Sequence, residues 1–280
     1  MTTIHSDSLQ GKTLKIVVIG AHPDDADLTT GGTAIKYSKL GHKVLFVALT
    51  NGDAGHQSMG GGTLAKTRAA EAQESAKRFG VTYKVLPNHD GELTTQLHIR
   101  FQIIRLIREW NADIVISPRP NDYHPDHRNA AILVQDAAYM VLVPNIVPEV
   151  PPLKKNPVFL YTQDRFKKPY PFIPDIAVDI SDVYDKKIYA TSAHKCQFFE
   201  WIPWVEGYSD EVPKDENKRV EWMGKIWKQT ITPEVRESLG KWYGKERAEK
   251  ITDAEAFEIC EYGRQPTDEE IRQLFPMIGI

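Results

Sequence analysis

The chain has 280 residues, of which 41% are hydrophobic and 26% charged, as is typical of a globular protein large enough to bury a sizeable core. The formal net charge of -3 offers no basic excess to neutralise phosphates, which argues against nucleic acid as the main partner. No stretch has the apolar length of a membrane span or a signal peptide, so we expect a cytoplasmic protein.

The first half of the chain alternates short apolar runs with helical patterns. These patterns predict strands over residues 14–19, 43–49, 81–86 and 113–117, and helices over residues 29–40, 64–79, 95–110 and 127–140. Both faces of the first run are apolar, which is typical of a buried parallel strand. Four alternations therefore predict an α/β fold with a doubly wound, mostly parallel sheet and helices on both faces.

The second half of the chain is less regular. Five prolines interrupt residues 143–157, after which we predict strands over residues 159–161 and 176–180 and a helix over residues 183–197. From residue 211 onward the pattern is charged and helical. We expect residues 1–210 to form the α/β domain and residues 211–280 to form a C-terminal helical extension packed on it.

Two clusters of histidine and aspartate follow predicted strands. His22, Asp24 and Asp25 come after the first strand, and His124–His127 come after the fourth. Open α/β sheets bind their ligands at the carboxyl ends of the strands, so we expect the two clusters to meet there. Single clusters of this kind often only form turns, and Asp25 or Asp27 could instead cap the following helix.

The two clusters together contain a donor set that suits a catalytic zinc ion. His22, Asp25 and His127 would supply two imidazoles and one carboxylate, leaving a fourth position for water. Zinc lowers the pKa of such a water to about 7, which makes it a nucleophile at neutral pH. The same donors also accept iron, so the metal used in the cell stays open.

The remaining polar residues of the clusters have candidate catalytic roles. Asp24 is the candidate general base that takes a proton from the attacking water. His124, if protonated, could stabilise a tetrahedral oxyanion or protonate the leaving amine. Asp126 is placed to orient an imidazole. This combination predicts metal-assisted hydrolysis of an amide.

The two clusters resemble the signature motifs of the PIG-L (LmbE-like) N-deacetylase family. The resemblance spans about residues 13–200 and includes Ala21–Asp25, Arg68–Glu71, Asp90-Gly91, His124–His127 and Ala193–Gln197. It implies a Rossmann-like fold, zinc held by His22, Asp25 and His127, and hydrolysis of acetate from N-acetylglucosamine-linked molecules. In this chain the acidic residue that usually follows the first motif is replaced by Ala26.

The resemblance also implies residues that bind the substrate. Arg68 and Asp90 match positions that hold the sugar in relatives, since arginine offers a planar donor fork and aspartate accepts from hydroxyls. Each also fits a structural role, as a helix residue and a turn residue respectively. Tyr123 is a candidate acid because relatives carry a tyrosine at the position of Asp122. His194 fits either the site or a helix surface.

The sequence therefore predicts a zinc-dependent hydrolase that removes an N-acetyl or other N-acyl group from a small-molecule amino-sugar. A zinc amidase that acts on a larger conjugate or a natural product is the alternative. A nucleotide-binding Rossmann protein is disfavoured, because the first loop lacks G-x-G-x-x-G and its carboxylates would repel a pyrophosphate. The aromatic segment 198–204 fits sugar stacking, a core or a subunit interface. A homo-oligomer stays open.

Overall fold

The computed structural model describes residues 11–279, and a seven-stranded sheet forms the centre of this part of the chain. The strand order is β3-β2-β1-β4-β5-β7-β6. The strands are β1 (Lys15–Gly20), β2 (Lys43–Thr50), β3 (Thr82–Asn88), β4 (Ile114–Ser117), β5 (Val158–Thr162), β6 (Ile176–Asp179) and β7 (Ala254–Ile259). The first five strands pair in parallel, whereas β7 is antiparallel to both of its neighbours.

Helices cover the sheet on both sides. They are α1 (Asp25–Lys39), α2 (Gly61–Phe79), α3 (Leu97–Trp110), α4 (Pro125–Met140), α5 (Tyr184–Thr191), α6 (Ile202–Glu206), α7 (Glu216–Ile226), α8 (Pro233–Tyr243), α9 (Lys245–Ala248) and α10 (Asp268–Leu274). A π-helical turn (Gln197–Trp201) and a 3-10 turn (Ser209–Glu211) lie between α5 and α7. Among these helices, none has the length and apolarity needed to cross a bilayer.

The central strand β1 contributes to two separate hydrophobic cores. Ile16 and Val18 belong to the core that includes residues of α1 and α2, and Val17 and Ile19 belong to the core that includes residues of α3 and α4. Successive side chains of a strand point to opposite faces, so a strand that is apolar throughout needs helices on both sides. This confirms the predicted doubly wound, mostly parallel sheet.

Strand β7 corrects the expectation of a purely helical C-terminal extension. It lies between β5 and β6, pairing Leu160 with Ile259 and Ile176 with Phe257. Its Glu255 is 4% exposed and reaches the middle of α1, where it accepts hydrogen bonds from the backbone N–H groups of Gly32 (2.8 Å) and Thr33 (2.7 Å). The last part of the chain therefore completes the sheet and contacts the helix that follows β1.

Two helix boundaries lie four or more residues from their predicted positions. Helix α1 begins at Asp25 rather than at residue 29, because the Asp24 carbonyl already accepts the Leu28 N–H. The helix predicted over residues 183–197 ends at Thr191, and a turn leads from it into the π-helical segment. The first difference matters for function, because it makes Asp25 the first residue of a helix rather than part of a loop.

Adjacent positions of β1 and β4 bring the two His/Asp clusters together. The strands pair in parallel, with Val17 opposite Val115, so both end at the same edge of the sheet. Helix α1 begins within the first cluster, and α4 begins with Pro125 of the second. A cleft of about 1790 Å³ opens at this edge. The strand order thus places the clusters where open α/β sheets carry their sites.

Candidate metal centre and active site

Three side chains from the two clusters converge at the base of the cleft. His22 Nδ1 lies 3.2 Å from His127 Nε2. The carboxylate of Asp25 lies between them, with Oδ1 3.4 Å from His127 Nε2 and Oδ2 3.6 Å from His22 Nδ1. Donors about 2.0–2.1 Å from a tetrahedral ion stand roughly 3.4 Å from one another, so these spacings fit a shared metal ion.

The local backbone fixes the orientation of Asp25. Its Oδ2 accepts hydrogen bonds from the N–H groups of Ala21 and His22, each at 2.8 Å, which leaves Oδ1 for an ion. The carboxylate can turn back in this way because residue 20 is glycine. A methyl group on Gly20 would lie 2.5 Å from the Asp25 Cβ, which no side chain tolerates.

Carboxylates also stand behind both imidazoles. His22 Nε2 lies 3.0 Å from Asp90 Oδ1 and 3.4 Å from Asp126 Oδ2, and His127 Nδ1 lies 3.1 Å from Asp122 Oδ1. Histidines that bind a metal typically donate their other ring N–H to a carboxylate, which fixes the ring and raises its basicity. Both histidines therefore have the surroundings of metal ligands, through Nδ1 of His22 and Nε2 of His127.

The charges at this centre favour a cation. Burial opposes the charged form of His22, but Asp126, Asp25 and Asp90 together raise its pKa well above the ordinary value. Burial likewise disfavours the Asp25 carboxylate, but His127 and His22 hold the pKa of Asp25 well below its usual range. The raised pKa of His22 reflects the negative potential of the surrounding carboxylates, which a divalent metal ion would neutralise.

His124 brings a third imidazole close to the centre. His22, His124 and His127 offer ring nitrogens within 4.8 Å of one another. His124 is the N-cap residue of α4, and its Nδ1 accepts a hydrogen bond from the Asp126 N–H at 3.2 Å. A neutral imidazole that accepts at Nδ1 carries its proton on Nε2. Burial and the two neighbouring histidines lower the pKa of His124, so the ring is a neutral donor at pH 7.

Asp24 lies on the cleft wall next to the candidate metal ligands and is held by Arg68. The Asp24 side chain is 10% exposed, and its Oδ2 lies 3.2 Å from Arg68 Nη2. Burial raises the pKa of Asp24, while Arg68 opposes the shift. The same Nη2 donates to the Pro23 carbonyl at 2.6 Å, so Arg68 fixes both the base candidate and its loop.

Comparisons with known proteins agree with this geometry. The family model described as PIG-L, GlcNAc-PI de-N-acetylase, matches residues 17–138. Diacetylchitobiose deacetylase of Thermococcus kodakarensis is 32% identical over 203 residues, covering 68% of this chain and 73% of the relative. A probable N-acetyl-alpha-D-glucosaminyl L-malate deacetylase 2 of Bacillus anthracis is 24% identical over 222 residues, covering 74% of this chain and 91% of the relative.

A solved structure is similar over nearly the whole chain. N,N'-diacetylchitobiose deacetylase of Pyrococcus horikoshii superposes with a TM-score of 0.66 at 25% identity, covering 91% of this chain and 88% of that one. This chain belongs to the PIG-L family. Members of this family are metal-dependent hydrolases, so the enzyme class predicted from the motifs is confirmed.

Three of the substrate-binding candidates line the cleft, and two of them, Arg68 and Asp90, also have structural contacts. Arg68 is 2% exposed, and its Nε and Nη1 have no hydrogen-bond partner among the residues that the structure describes. Asp90 faces His22 with Oδ1 and accepts the Gly55 N–H with Oδ2 at 3.1 Å. Tyr123 lies at the mouth of the cleft and is 72% exposed. A sugar-binding role for these residues stays a prediction.

His194 does not line the cleft, which corrects its expected place in the site. It is fully buried, and its Nε2 lies 3.0 Å from Oδ1 of Asp27. Asp27 also accepts hydrogen bonds from Ser75 and from Tyr83, the latter at 3.0 Å. Asp27 lies one position past the place where the PIG-L motif usually carries its acidic residue. It is therefore the centre of a buried polar cluster.

Two carboxylates to which the sequence analysis gave no role, Asp122 and Glu71, support this site. Asp122 backs His127 and accepts the His124 N–H at 2.8 Å. Glu71 of the Arg-Ala-Ala-Glu motif accepts hydrogen bonds from the N–H and Sγ of Cys196, at 2.9 Å and 2.8 Å. This contact joins the two segments, and only the folded structure shows that they touch.

Proposed function

We propose that this protein is a zinc-dependent hydrolase that removes the N-acetyl group of a small-molecule amino-sugar. The observation that carries the proposal is the convergence of His22, Asp25 and His127, with Asp24 beside them in an open cleft. The curated relatives named above act on N-acetylated amino-sugar compounds by name. Zinc or, in the cell, iron would be held by the three converging side chains.

Bound zinc would supply a Lewis acid that polarises the amide carbonyl and acidifies water. The residues of the chain would perform the remaining chemistry. Asp24 would take a proton from the attacking water as its oxygen bonds to the carbonyl carbon. Arg68 holds the Asp24 carboxylate in place for this transfer.

His124 would stabilise the negative charge that develops on the carbonyl oxygen. Its Nε2–H is fixed as the donor because Nδ1 accepts the Asp126 N–H, so no protonated imidazole is required. When the C–N bond breaks, Asp24 would pass the proton taken from water to the leaving amine nitrogen, and the new carboxylic acid would lose its own proton to solvent. The products are acetate and a free amino-sugar.

The first loop argues against a nucleotide-binding function. Asp24, Asp25 and Asp27 stand at the start of α1, where a dinucleotide-binding protein would hold a pyrophosphate on free N–H groups. Three carboxylates there would repel that ligand.

We also propose that the reaction takes place in the cytoplasm, and that the substrate is a small molecule rather than nucleic acid.

An acetate-release screen tests the proposal. The purified protein, loaded with one equivalent of zinc or of ferrous iron, is mixed with a panel of N-acetylated amino-sugars, and acetate and free amine are quantified. We expect release from at least one sugar, loss of release after chelation, and recovery when zinc is restored. Metal-independent release, or release only from N-acylated compounds that contain no sugar, would contradict the proposal.

A further inference from the structure

One wall of the cleft is a segment without regular secondary structure. Residues 163–172 follow β5, and residues 163–167 and 171–172 among them line the cleft. We call residues 163–172 the cleft strap. Residues 165 and 167–171 are exposed, so burial alone does not hold this segment. An exposed loop opens locally at little cost in free energy, so the strap keeps its shape only if particular contacts fix it.

Arg119 supplies such contacts. It is the second residue after β4, and its side chain is completely buried. Its Nε and Nη2 each donate to one oxygen of Asp164 at 2.7 Å, and Nη2 also donates to the Phe166 carbonyl at 2.9 Å. Its Nη1 donates to the Tyr170 carbonyl at 3.3 Å. One guanidinium group therefore joins the beginning, the middle and the later part of the cleft strap.

The surroundings of the guanidinium group suit arginine rather than lysine. The Arg119 Cζ lies 5.3 Å from the centre of the Tyr170 ring and 5.7 Å from the centre of the Phe172 ring. Glu258 of β7 has its Oε2 3.6 Å from Nη1, and the same oxygen accepts the Ile173 N–H at 2.9 Å. A planar guanidinium group can bind a carboxylate with two parallel N–H groups and face aromatic rings at the same time, whereas an ammonium group cannot.

The cleft strap also reaches the candidate metal centre. The ring centroids of Phe166 and Tyr123 are 6.4 Å apart, and those of Tyr123 and His127 are 5.9 Å apart. Arg119 belongs to residues 118–124, which connect β4 to α4, so it lies on the same connection as His124. Release of the strap would therefore change the wall beside His127 and leave the candidate ligands in place.

From these contacts we propose that Arg119 is a positioning residue that holds the cleft strap as the substrate-facing wall beside His127. The inference rests on the proposed function, because this wall belongs to the same cleft. Arg119 is buried behind the wall, so it acts through the strap and not on the reacting atoms. Its loss therefore weakens substrate binding and leaves the chemical step intact.

Limited proteolysis and steady-state kinetics of the full-length, zinc-loaded protein test the inference. Trypsin cuts after Arg165 and Lys167, which both lie in the cleft strap. We expect Arg119→Lys to be cut there roughly tenfold faster than the wild type, because cleavage of a folded protein follows local opening. With N,N'-diacetylchitobiose as the probe, KM should rise about tenfold while kcat stays within about threefold and bound zinc is unchanged.

Two further variants serve as a second test and a control. Asp164→Asn removes the partner charge, and its effect on cleavage should combine with that of Arg119→Lys to less than the product of the two, since the residues are in direct contact. Arg105→Lys is the matched control, because Arg105 pairs with Glu149 at the surface and away from the cleft. It should leave cleavage and KM unchanged.

Cleavage and KM that both stay within about twofold of the wild type in folded Arg119→Lys would overturn the inference. A fall in kcat with unchanged KM would also overturn it, as would a lower melting temperature without faster cleavage, since Arg119 would then stabilise only the fold. Proteolysis does not depend on turnover. A wild-type protein that releases no acetate would refute the proposed function, and the cleavage rates would still decide whether Arg119 holds the strap.

Discussion

Replacing Glu255 by glutamine is expected to destabilise the fold severely. The Glu255 carboxylate is 2.8 Å from Lys187 Nζ and accepts hydrogen bonds from the N–H groups of Gly32 and Thr33. Lys187 is 7% exposed and also donates to the Leu28 carbonyl, so it cannot turn to water. Glutamine would leave this ammonium without a counter-ion and would direct an N–H₂ group at a backbone donor.

Removing one partner from a buried ion pair costs about 3–5 kcal/mol. For a chain of this length, that loss in the free energy of unfolding lowers the Tm by on the order of 10 °C. Scanning calorimetry and urea unfolding measure both quantities. Glu246→Gln is the matched control, because that side chain is 92% exposed and pairs with Lys250 at the surface; its cost should stay below about 0.5 kcal/mol.

A double variant separates the charge from the shape. Lys187→Met combined with Glu255→Gln should recover part of the loss, since no unpaired charge then remains buried. A loss below 1 kcal/mol in Glu255→Gln, with an unchanged urea slope, would refute the reasoning. The result bears on function because the pair holds α1, whose first residue is the proposed metal ligand Asp25.

Three further variants or treatments probe the site and its support. Asp24→Asn should lower kcat by roughly 10²- to 10⁴-fold with metal content unchanged, and a kcat within threefold of wild type would remove Asp24 as the base. Asp122→Asn should weaken metal affinity about 10- to 100-fold in a chelator competition, because His127 loses its carboxylate; unaltered affinity would contradict this. Burial raises the pKa of Cys196 to about 12, so iodoacetamide at pH 8 should label it only after unfolding, and rapid labelling of the native protein would count against its contact with Glu71.

The sequence predicted the parts of the fold that depend on local pattern. A strand such as β1 that is apolar on both faces must lie inside a sheet. The sequence also predicted that the His/Asp clusters meet at the carboxyl ends of their strands, and β1 and β4 are neighbours in the sheet. The alternating pattern of residues 254–259 was hidden within a charged helical region. Only its pairing with β5 and β6, about 80–100 residues earlier in the chain, makes it a strand.

The sequence predicted the site residues whose role follows from residue type. It did not predict those whose role depends on packing. His22, Asp25 and His127 were singled out as donors and do converge. Nothing in the sequence around His194 indicated that its side chain would be buried beside Asp27. Trp201 was one of several aromatic residues in its segment, and only the structure shows that it lines the cleft from a π-helical turn.

The central claim is that His22, Asp25 and His127 hold one metal ion. Equilibrium dialysis against zinc followed by elemental analysis tests it directly on the wild-type protein, on His127→Ala and on His98→Ala, whose exposed histidine lies away from the cleft. We predict one zinc per chain in the wild type and in His98→Ala and none in His127→Ala at micromolar zinc. One full equivalent retained by folded His127→Ala would contradict the account.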